Sequence, residues 1–318
     1  MRAIALISGG LDSLLAAKVI KNQGVKVIPV KFVIPFAHLK HHSYEGKGLE
    51  EFVSLNLEEK LNFLDIGKEF LELILNPDFG FGKHMNPCID CKILMLRKAG
   101  EIMPHYRASF VVTGEVLGQR PMSQHKKALH GIERESNLSG LLLRPLCAKL
   151  LPITIPEKEG WVARESLFNF SGRSRSSQLK LADKLNMPGL PNASGGCLLT
   201  DRKFSVRLKD LIKHNCLNRE NVELLKIGRH FRVNDNLKVI VGRNEKENIQ
   251  LEGNLYDGSL VLYPDKKTAG PSALVVGNIQ NEELSLCARI VASYCDDKNE
   301  IIRIFYKSCG EKNARFLF

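Results

Sequence analysis

The feature that most constrains the fold of this chain is its first turn, residues 5–13, which read ALISGGLDS. The apolar run before the turn predicts a buried strand, and the run from Leu14 to Ile20 predicts a helix. Two glycines allow the backbone to turn sharply and to approach a ligand, while serine hydroxyls and free helix amides are donors for an anion. The turn therefore predicts a polyphosphate site, although an ordinary strand-to-helix turn capped by serine is the alternative.

Asp12 is unexpected in such a turn, because a carboxylate repels phosphate unless a cation such as magnesium lies between them. The letters SGGLDS resemble the signature of the PP-loop ATP pyrophosphatase superfamily, which splits ATP between its α and β phosphates and adenylates an oxygen of its substrate. The resemblance implies ATP and Mg²⁺ as cofactors and Asp12 as a catalytic residue. It also implies that ATP is held by the signature itself: Ser8, Gly9, Gly10, Leu11, Asp12 and Ser13.

Short apolar runs alternate with longer helical stretches through the first part of the chain. The runs cover residues 1–7, 25–33, 61–66, 109–113 and 140–143, and the helical stretches cover 11–22, 48–59, 88–103 and 123–136. This alternation predicts an α/β fold with a doubly wound, mostly parallel sheet, in which ligands bind at the carboxyl ends of the strands. After Lys213 shorter strands and turns predict a smaller α+β domain, so we expect domains at 1–213 and 214–318.

The composition favours an acidic partner. The 318 residues carry a formal charge of +11 and a pI near 9.2, and no apolar stretch is long enough to span a membrane. Nucleic acid is therefore favoured over a membrane, with plain solubility as the alternative. The N-terminus is a poor signal peptide, so we expect a cytoplasmic protein. In that reducing compartment the eight cysteines indicate metal binding, catalysis or burial rather than a disulfide framework.

Three cysteines lie close to a proline or to a pair of glycines. Cys88 and Cys91 follow Pro87 at the predicted start of a helix, where a thiol pKa is expected to fall, and Cys197 follows two glycines. Three thiolates would bind three irons of a 4Fe–4S cluster and leave the fourth iron open. The alternatives are a persulfide on one of these cysteines, or a capping or redox pair with Cys197 as a buried thiol. Residues 35–47 hold three histidines and predict a loop over the site rather than a metal centre.

The segment 113–119, TGEVLGQ, is predicted to be a strand end at the level of the nucleotide, with Gly114, Glu115 and Gln119 as candidate ATP contacts. This segment, with a following SQ and LRPL, resembles the tRNA 4-thiouridine synthases. The letters NPCIDCK and a later GGC resemble instead the cluster-dependent tRNA 2-thiouridine synthases. Both resemblances imply an ATP-dependent tRNA sulfurtransferase. The second implies Cys88, Cys91 and Cys197 as catalytic thiols and cluster ligands. They leave the ring position of the sulfur open.

Two parts of those enzymes are missing from this sequence: an RNA-binding domain before the turn and a rhodanese-like tail. We therefore expect sulfur from a cysteine desulfurase, from sulfide or from a carrier protein. The letters IVGRNEKEN resemble the RNA-binding domain of ribosome quality-control fibronectin-binding-like proteins; a dimerising domain is the alternative, which leaves a homodimer open. Candidate RNA contacts are basic residues in both domains: Arg173, Arg175, Arg229, Arg232, Arg243 and Lys246. Another PP-loop ligase, or an RNA-binding protein without activity, also remains open.

Overall fold

The computed structural model describes residues 1–36, 39–187, 197–277, 279–297, 302–310 and 315–316, with the backbone alone for 39–47 and for residue 316. These residues form two compact units, Met1–Ser205 and Val206–Phe318. The division falls eight residues before the expected boundary, because side chains beyond it bond within the second unit. Arg207 donates to the carbonyl of Leu225 at 2.9 Å, and Asp210 pairs with Arg232 at 2.6 Å.

The first unit contains a five-stranded sheet in which every neighbouring pair is parallel. The strands are β1 (Arg2–Leu6), β2 (Lys26–Val33), β3 (Asn62–Asp65), β4 (Phe110–Val112) and β5 (Leu142–Leu143), in the order β3-β2-β1-β4-β5. The order therefore reverses between β1 and β4. In open sheets of this kind a crevice forms at the carboxyl ends of the strands at that point. The predicted α/β fold is confirmed.

Helices cover both faces of this sheet. The helices of this unit are α1 (Leu11–Lys21), α2 (Leu39–Leu57), α3 (Gly67–Leu75), α4 (Cys88–Tyr106), α5 (Lys126–Glu135), α6 (Ile155–Lys158) and α7 (Ser176–Lys184). Helix α8 (Arg202–Lys213) begins before the division at Ser205 and lies mostly in the second unit. Alternate residues of β1 point to opposite faces. Ala3 and Ala5 belong to a cluster with Leu14 of α1, whereas Ile4 belongs to a cluster with Ile93 of α4. Burial on both faces explains why the strands read as nearly continuous apolar runs.

Local structure in this unit differs from the sequence-based expectation at two places. The expected loop over 35–47 is helical from Leu39 onward, and α3 was not predicted. In α7, Leu179 is 51% exposed, whereas Leu181 is buried with Ala182. The neighbouring Leu181 occupies the position that faces the core.

The second unit is a six-stranded antiparallel sheet with helices, as the α+β prediction required. Its strands run in the order β11-β10-β8-β9-β7-β6. They are β6 (Arg229–Asn234), β7 (Leu237–Val241), β8 (Ser259–Pro264), β9 (Ala273–Gly277), β10 (Ile304–Ser308) and β11 (Arg315–Phe316), and the helices are α9 (Arg219–Leu224), α10 (Glu245–Gly253) and α11 (Asn281–Ala292). Val239 packs with α11, whereas its neighbour Ile240 packs with α9 and α10. Across the part of the chain that the structure describes, we find no helix with the length and apolar character needed to cross a bilayer.

Candidate functional site

The turn after β1 is held in place by its two serines. Ser8 donates its amide to Ser13 Oγ at 3.2 Å, the two hydroxyls lie 3.1 Å apart, and Ser13 Oγ donates to the carbonyl of Gly10 at 2.8 Å. Gly9 has φ +90°, a conformation that other residues rarely adopt, so glycine is required there. Helix α1 starts directly after Gly10, and its first amides have no acceptor within the helix. The turn is thus preformed by its own hydrogen bonds and places the free first amides of α1 at the carboxyl end of a central strand.

The strand end after β4 packs directly on this turn. A Cβ atom at Gly114 would lie 2.4 Å from both the carbonyl carbon of Asp12 and the amide nitrogen of Ser13. No side chain fits in that gap, so Gly114 brings its backbone against the first residues of α1. Gly114 was predicted as an ATP contact, and its close packing gives it a second task, which is to hold the turn.

The side chain of Asp12 is only half satisfied. Its Oδ2 accepts a hydrogen bond from Gln119 Nε2 at 2.8 Å, but Oδ1 is buried and has no hydrogen-bond partner among the described residues. Gln119 Oε1 is likewise buried and without a partner there. Buried polar atoms are nearly always paired, so two unpaired oxygens at one place indicate a missing cation or donor. Hard cations such as Mg²⁺ prefer oxygen ligands. These oxygens therefore fit a magnesium ion that accompanies bound ATP.

The three predicted cysteines belong to two segments that meet. The amide of Met85, just before α4, donates to the carbonyl of Leu199, just after Cys197, at 3.2 Å. Burial raises the pKa of Cys91 most, and the nearby thiols of Cys197 and Cys88 raise it further. Each of the three thiols therefore lies within electrostatic range of another. Glycines 195 and 196, which drew attention to Cys197, lie outside the described residues.

The predicted low thiol pKa at the start of α4 was wrong. Burial raises the pKa of Cys88, and it raises that of Cys197 to about 11. At both thiols the guanidinium of Arg120 opposes the effect of burial, and Lys92 does the same at Cys88. The resting thiols are therefore protonated near neutral pH, and any thiolate is stabilised by these two cations rather than by the helix.

The fit of an iron–sulfur cluster is poor. Across the residues that the structure describes, no three His, Cys, Asp or Glu side chains are arranged to hold a metal ion. The three thiols are close enough to repel one another when charged, yet they do not form a coordination shell. We therefore derive no chemical step through iron.

Glu115 has a different task from the predicted contact with ATP. Its buried carboxylate accepts hydrogen bonds from Lys92 and, at 2.9 Å, from Arg144 Nε, and Thr113 Oγ1 lies 3.3 Å away. Burial alone would raise the pKa of Glu115, but Lys92 and Arg144 outweigh burial and lower it to about 2. Arg144 is itself 4% exposed and also bonds Glu133 at 2.8 Å. Glu115 therefore positions Lys92 beside the thiols.

The predicted RNA contacts divide into two groups. Arg173, Arg175 and Lys246 are exposed, as an RNA contact must be. The other three bond within the protein. Arg232 binds Asp210 through two nitrogens at 3.1 and 2.6 Å, Arg243 binds Glu247, and Arg229 lies 4.9 Å from the centre of the Tyr294 ring. Arg243 is also exposed, but its charge and that of Arg232 are paired with carboxylates, and Arg229 is partly buried against the ring, so these three are weaker candidates than Arg173, Arg175 and Lys246.

The sequence patterns did not identify Lys92, Arg120 and Arg144 as site residues. Lys92 stands next to Cys91, and Arg120 next to Gln119, so both were adjacent to residues already selected. Nothing in the linear pattern indicates that Arg144 reaches Glu115 across the ends of two strands.

Two protein families each match one part of this chain. Residues 1–149 match the family described as thiamine biosynthesis protein (ThiI), and residues 228–317 match the NFACT protein RNA binding domain. The resemblance of the first unit to PP-loop tRNA thiolation enzymes and that of the second to an RNA-binding domain are thereby confirmed.

Curated relatives carry names of the same kind. A probable tRNA sulfurtransferase of Thermococcus kodakarensis is 30% identical over 155 residues, which are 46% of this chain and 36% of that protein. The tRNA-specific 2-thiouridylase MnmA of Helicobacter hepaticus is 26% identical over 150 residues, 45% of this chain and 42% of that protein. The chain thus spans about two fifths of the length of these relatives. A solved 4-thiouridine synthetase–RNA complex with bound ATP is 20% identical, with a TM-score of 0.44 over 63% of this chain and 45% of that one.

Proposed function

We propose that this chain is an ATP-dependent tRNA sulfurtransferase, which adenylates a uridine of tRNA and replaces a carbonyl oxygen with sulfur. One observation carries the proposal. Gln119 and Arg120 are consecutive residues; Gln119 bonds Asp12 in the phosphate-binding turn, and the charge of Arg120 acts on the thiols of Cys88 and Cys197. Adenylation needs the phosphate-binding turn, sulfur transfer needs the thiols, and both must act on one base. Gln119 and Arg120 connect the turn to the thiols.

Adenylation is the first step of the proposal. Ser8, Ser13 and the first amides of α1 hold the pyrophosphate part of ATP, and the turn orients the α phosphate toward the uridine oxygen. Mg²⁺ held near Asp12 Oδ1 and Gln119 Oε1 would neutralise phosphate charge. The uridine carbonyl oxygen attacks the α phosphorus, the α–β bond breaks, and pyrophosphate leaves.

Sulfur transfer follows on the activated ring carbon. A donor first leaves one terminal sulfur on Cys88, Cys91 or Cys197 as a persulfide. That sulfur attacks the ring carbon, and AMP leaves with the former carbonyl oxygen. A second cysteine then attacks the sulfur of the first, which releases the thiolated uridine and forms a disulfide between the two protein cysteines. An external dithiol reduces that disulfide for the next turnover. Arg120 and Lys92 stabilise the thiolates that these attacks need.

RNA binding belongs to the same proposal. The exposed Arg173 and Arg175 of the first unit and Lys246 of the second would contact phosphates, which position RNA without reading its sequence. The match of residues 228–317 to an RNA-binding domain supports this part. A cytoplasmic location is also part of it, since reduced thiols persist there.

Nucleoside mass spectrometry tests the proposal. Purified protein is incubated with unmodified tRNA, ATP, Mg²⁺, a cysteine desulfurase with cysteine, and a dithiol, and the digested tRNA is searched for 4-thiouridine and 2-thiouridine. We expect one of the two, together with release of one pyrophosphate for each thiolated uridine. Pyrophosphate release without a thiolated nucleoside would contradict sulfur transfer and would favour another ligase of the same fold.

Cysteine variants test the sulfur step. Cys88→Ser, Cys91→Ser and Cys197→Ser are compared with Cys309→Ser, the same change at an exposed thiol of the other unit. At least one of the first three should abolish thiolation while tRNA-dependent pyrophosphate release continues, and the control should keep full activity. Iron measured after anaerobic purification separates the two sulfur chemistries, because three to four irons per chain would replace the persulfide with a 4Fe–4S cluster.

A further inference from the structure

A cavity of about 140 Å³ lies within the second unit, beside the hairpin of β6 and β7. In the register of that hairpin His230 lies opposite Ile240 and Arg232 lies opposite Lys238, so the four side chains share one face. All four line the cavity, and leucines of α8 and α9 complete its walls: Leu211, Leu224 and Leu225. Apolar walls with a few convergent polar groups are typical of ligand sites.

His230 lines this cavity and has one ring nitrogen without a partner among the described residues. Its Nε2 lies 2.8 Å from the carbonyl oxygen of Ile227, which can only accept, so Nε2 carries the proton and Nδ1 is an acceptor. Nδ1 is buried and has no partner among the described residues. Burial, together with Lys238 and Arg207, lowers the pKa of His230 to about 3, so the ring stays neutral. A donor from outside the protein is needed to satisfy it.

Donors lie on the same face. Lys238 Nζ is 3.2 Å from Asp210 Oδ2, and Arg232 binds both oxygens of that carboxylate. His214 approaches Asp210 to 3.6 Å and the exposed Asp235 to 3.8 Å. Lysine has three N–H groups, so Lys238 keeps donors beyond the one that faces Asp210. Two cationic side chains thus share the partly exposed carboxylate of Asp210, and Asp235 also lines the cavity, so the charges there balance. Lys238 offers donors beside the unpaired nitrogen of His230.

We propose that this cavity binds one unpaired nucleobase of RNA through a ring amide, in which an N–H group adjoins a carbonyl. The N–H would donate to His230 Nδ1, the carbonyl would accept from Lys238, and the leucines would pack on the ring. Uracil and guanine have such an amide, whereas adenine and cytosine lack it. A cavity of about 150 Å³ can hold a benzene ring, so this volume suits a single base rather than a larger ligand. RNA is commonly read through bases that have left the stack. The inference rests on the RNA-binding part of the proposed function.

Free nucleotides test the site in the full chain. A nonhydrolysable ATP analogue first saturates the turn after β1, and UMP, GMP, CMP and AMP are then titrated while the imidazole nitrogens of His230 are followed by ¹⁵N NMR. We expect UMP or GMP to shift the Nδ1 resonance and to bind at least about 10-fold more tightly than CMP and AMP, because cytosine and adenine can pair with both groups only through an exocyclic amine, which displaces the ring from the leucines. Equal binding of all four, or no shift of His230, would overturn the proposal.

Two variants of different kinds extend the test. His230→Leu removes the acceptor, and Val276→Phe fills the cavity while His230 keeps its bond to Ile227. Each should weaken UMP or GMP binding about 10- to 100-fold and raise the KM for tRNA with little change in kcat. The control is Ile249→Phe, which adds the same ring at a residue that is 62% exposed on α10 and should change neither value. Circular dichroism melting checks that each variant folds, and the wild-type titration decides the question if one does not.

Failure of this inference is distinguishable from failure of the proposed function. Thiolation of tRNA by a wild-type chain that binds none of the four nucleotides at His230 would remove the base site and leave the enzyme. A His230 shift with UMP or GMP in a chain that thiolates no tRNA would keep the base site and remove the proposed activity.

Discussion

Replacing Gly114 with alanine should displace the phosphate-binding turn, because Gly114 packs directly against the backbone at the start of α1. The new Cβ would lie 2.4 Å from backbone atoms of Asp12 and Ser13, about 1 Å short of the 3.4 Å at which ordinary contact begins. Backbone atoms at the start of α1 cannot rotate away as a side chain can. The strand end or the turn must therefore move by about 1 Å.

That movement should lower both the free energy of unfolding and the rate of pyrophosphate release. Overpacking of this kind typically lowers the free energy of unfolding by about 1–3 kcal/mol, which urea unfolding at constant m-value would register. A displacement of about 1 Å at a positioning group typically costs about 100-fold in rate. We therefore expect ATP-dependent pyrophosphate release with tRNA to fall about 100-fold in Gly114→Ala.

Gly131→Ala is the matched control, because it is the same substitution in the same unit with the opposite surroundings. Gly131 lies within α5, and a Cβ there meets nothing within 4 Å. Alanine in a helix interior is favoured over glycine by about 1 kcal/mol, so this variant should be as stable as the wild type or more stable, with unchanged activity. Wild-type stability and pyrophosphate release in Gly114→Ala would refute the reasoning, as would equal losses in both variants.

Three further predictions concern charged groups of the first unit. Asp12→Asn should lower pyrophosphate release at least about 100-fold with little change in melting temperature, since Oδ1 has no partner among the described residues whose loss would cost stability; a normal rate in Mg²⁺ would contradict this. Glu115→Gln leaves buried cations uncompensated and should lower the free energy of unfolding by about 3–5 kcal/mol at pH 7. The pKa of Glu115 is about 2 against an ordinary 4.5, so its stabilisation is complete above pH 4.5 and is lost as pH falls toward 2. Urea unfolding of both proteins should therefore converge at low pH, and a constant gap would contradict the assignment. Arg120→Met removes the cation that opposes the effect of burial on Cys88 and Cys197, so peptide-resolved alkylation of both should move to higher pH; unchanged profiles would count against it.

The linear order of residues was sufficient for features that depend on near neighbours. The glycines and serines of residues 8–13 predicted the turn, because its bonds join residues at most five apart. The alternation of apolar runs with helical stretches predicted the parallel sheet, since each strand and helix carries its own periodicity. The hairpin of β6 and β7 likewise joins strands that are near neighbours in the sequence.

Predictions that depended on distant partners fared differently. Glu115 and Arg232 looked available for ligands, yet each is bonded to protein groups more than 20 positions away in the sequence. The low pKa expected for Cys88 came from its local place at a helix start, whereas burial by the rest of the fold raises it.

The sequence by itself determined that a glycine turn with Asp12 follows a buried strand, and that cysteines stand at a helix start and after a glycine pair. Only the tertiary structure decided that Gln119 and Arg120 connect the two. Local structure can be predicted from consecutive residues because backbone hydrogen bonds and helix periodicity act over a few positions. Which charges neutralise one another is decided by packing, because electrostatic energy depends on separation and burial in space and not on distance along the chain.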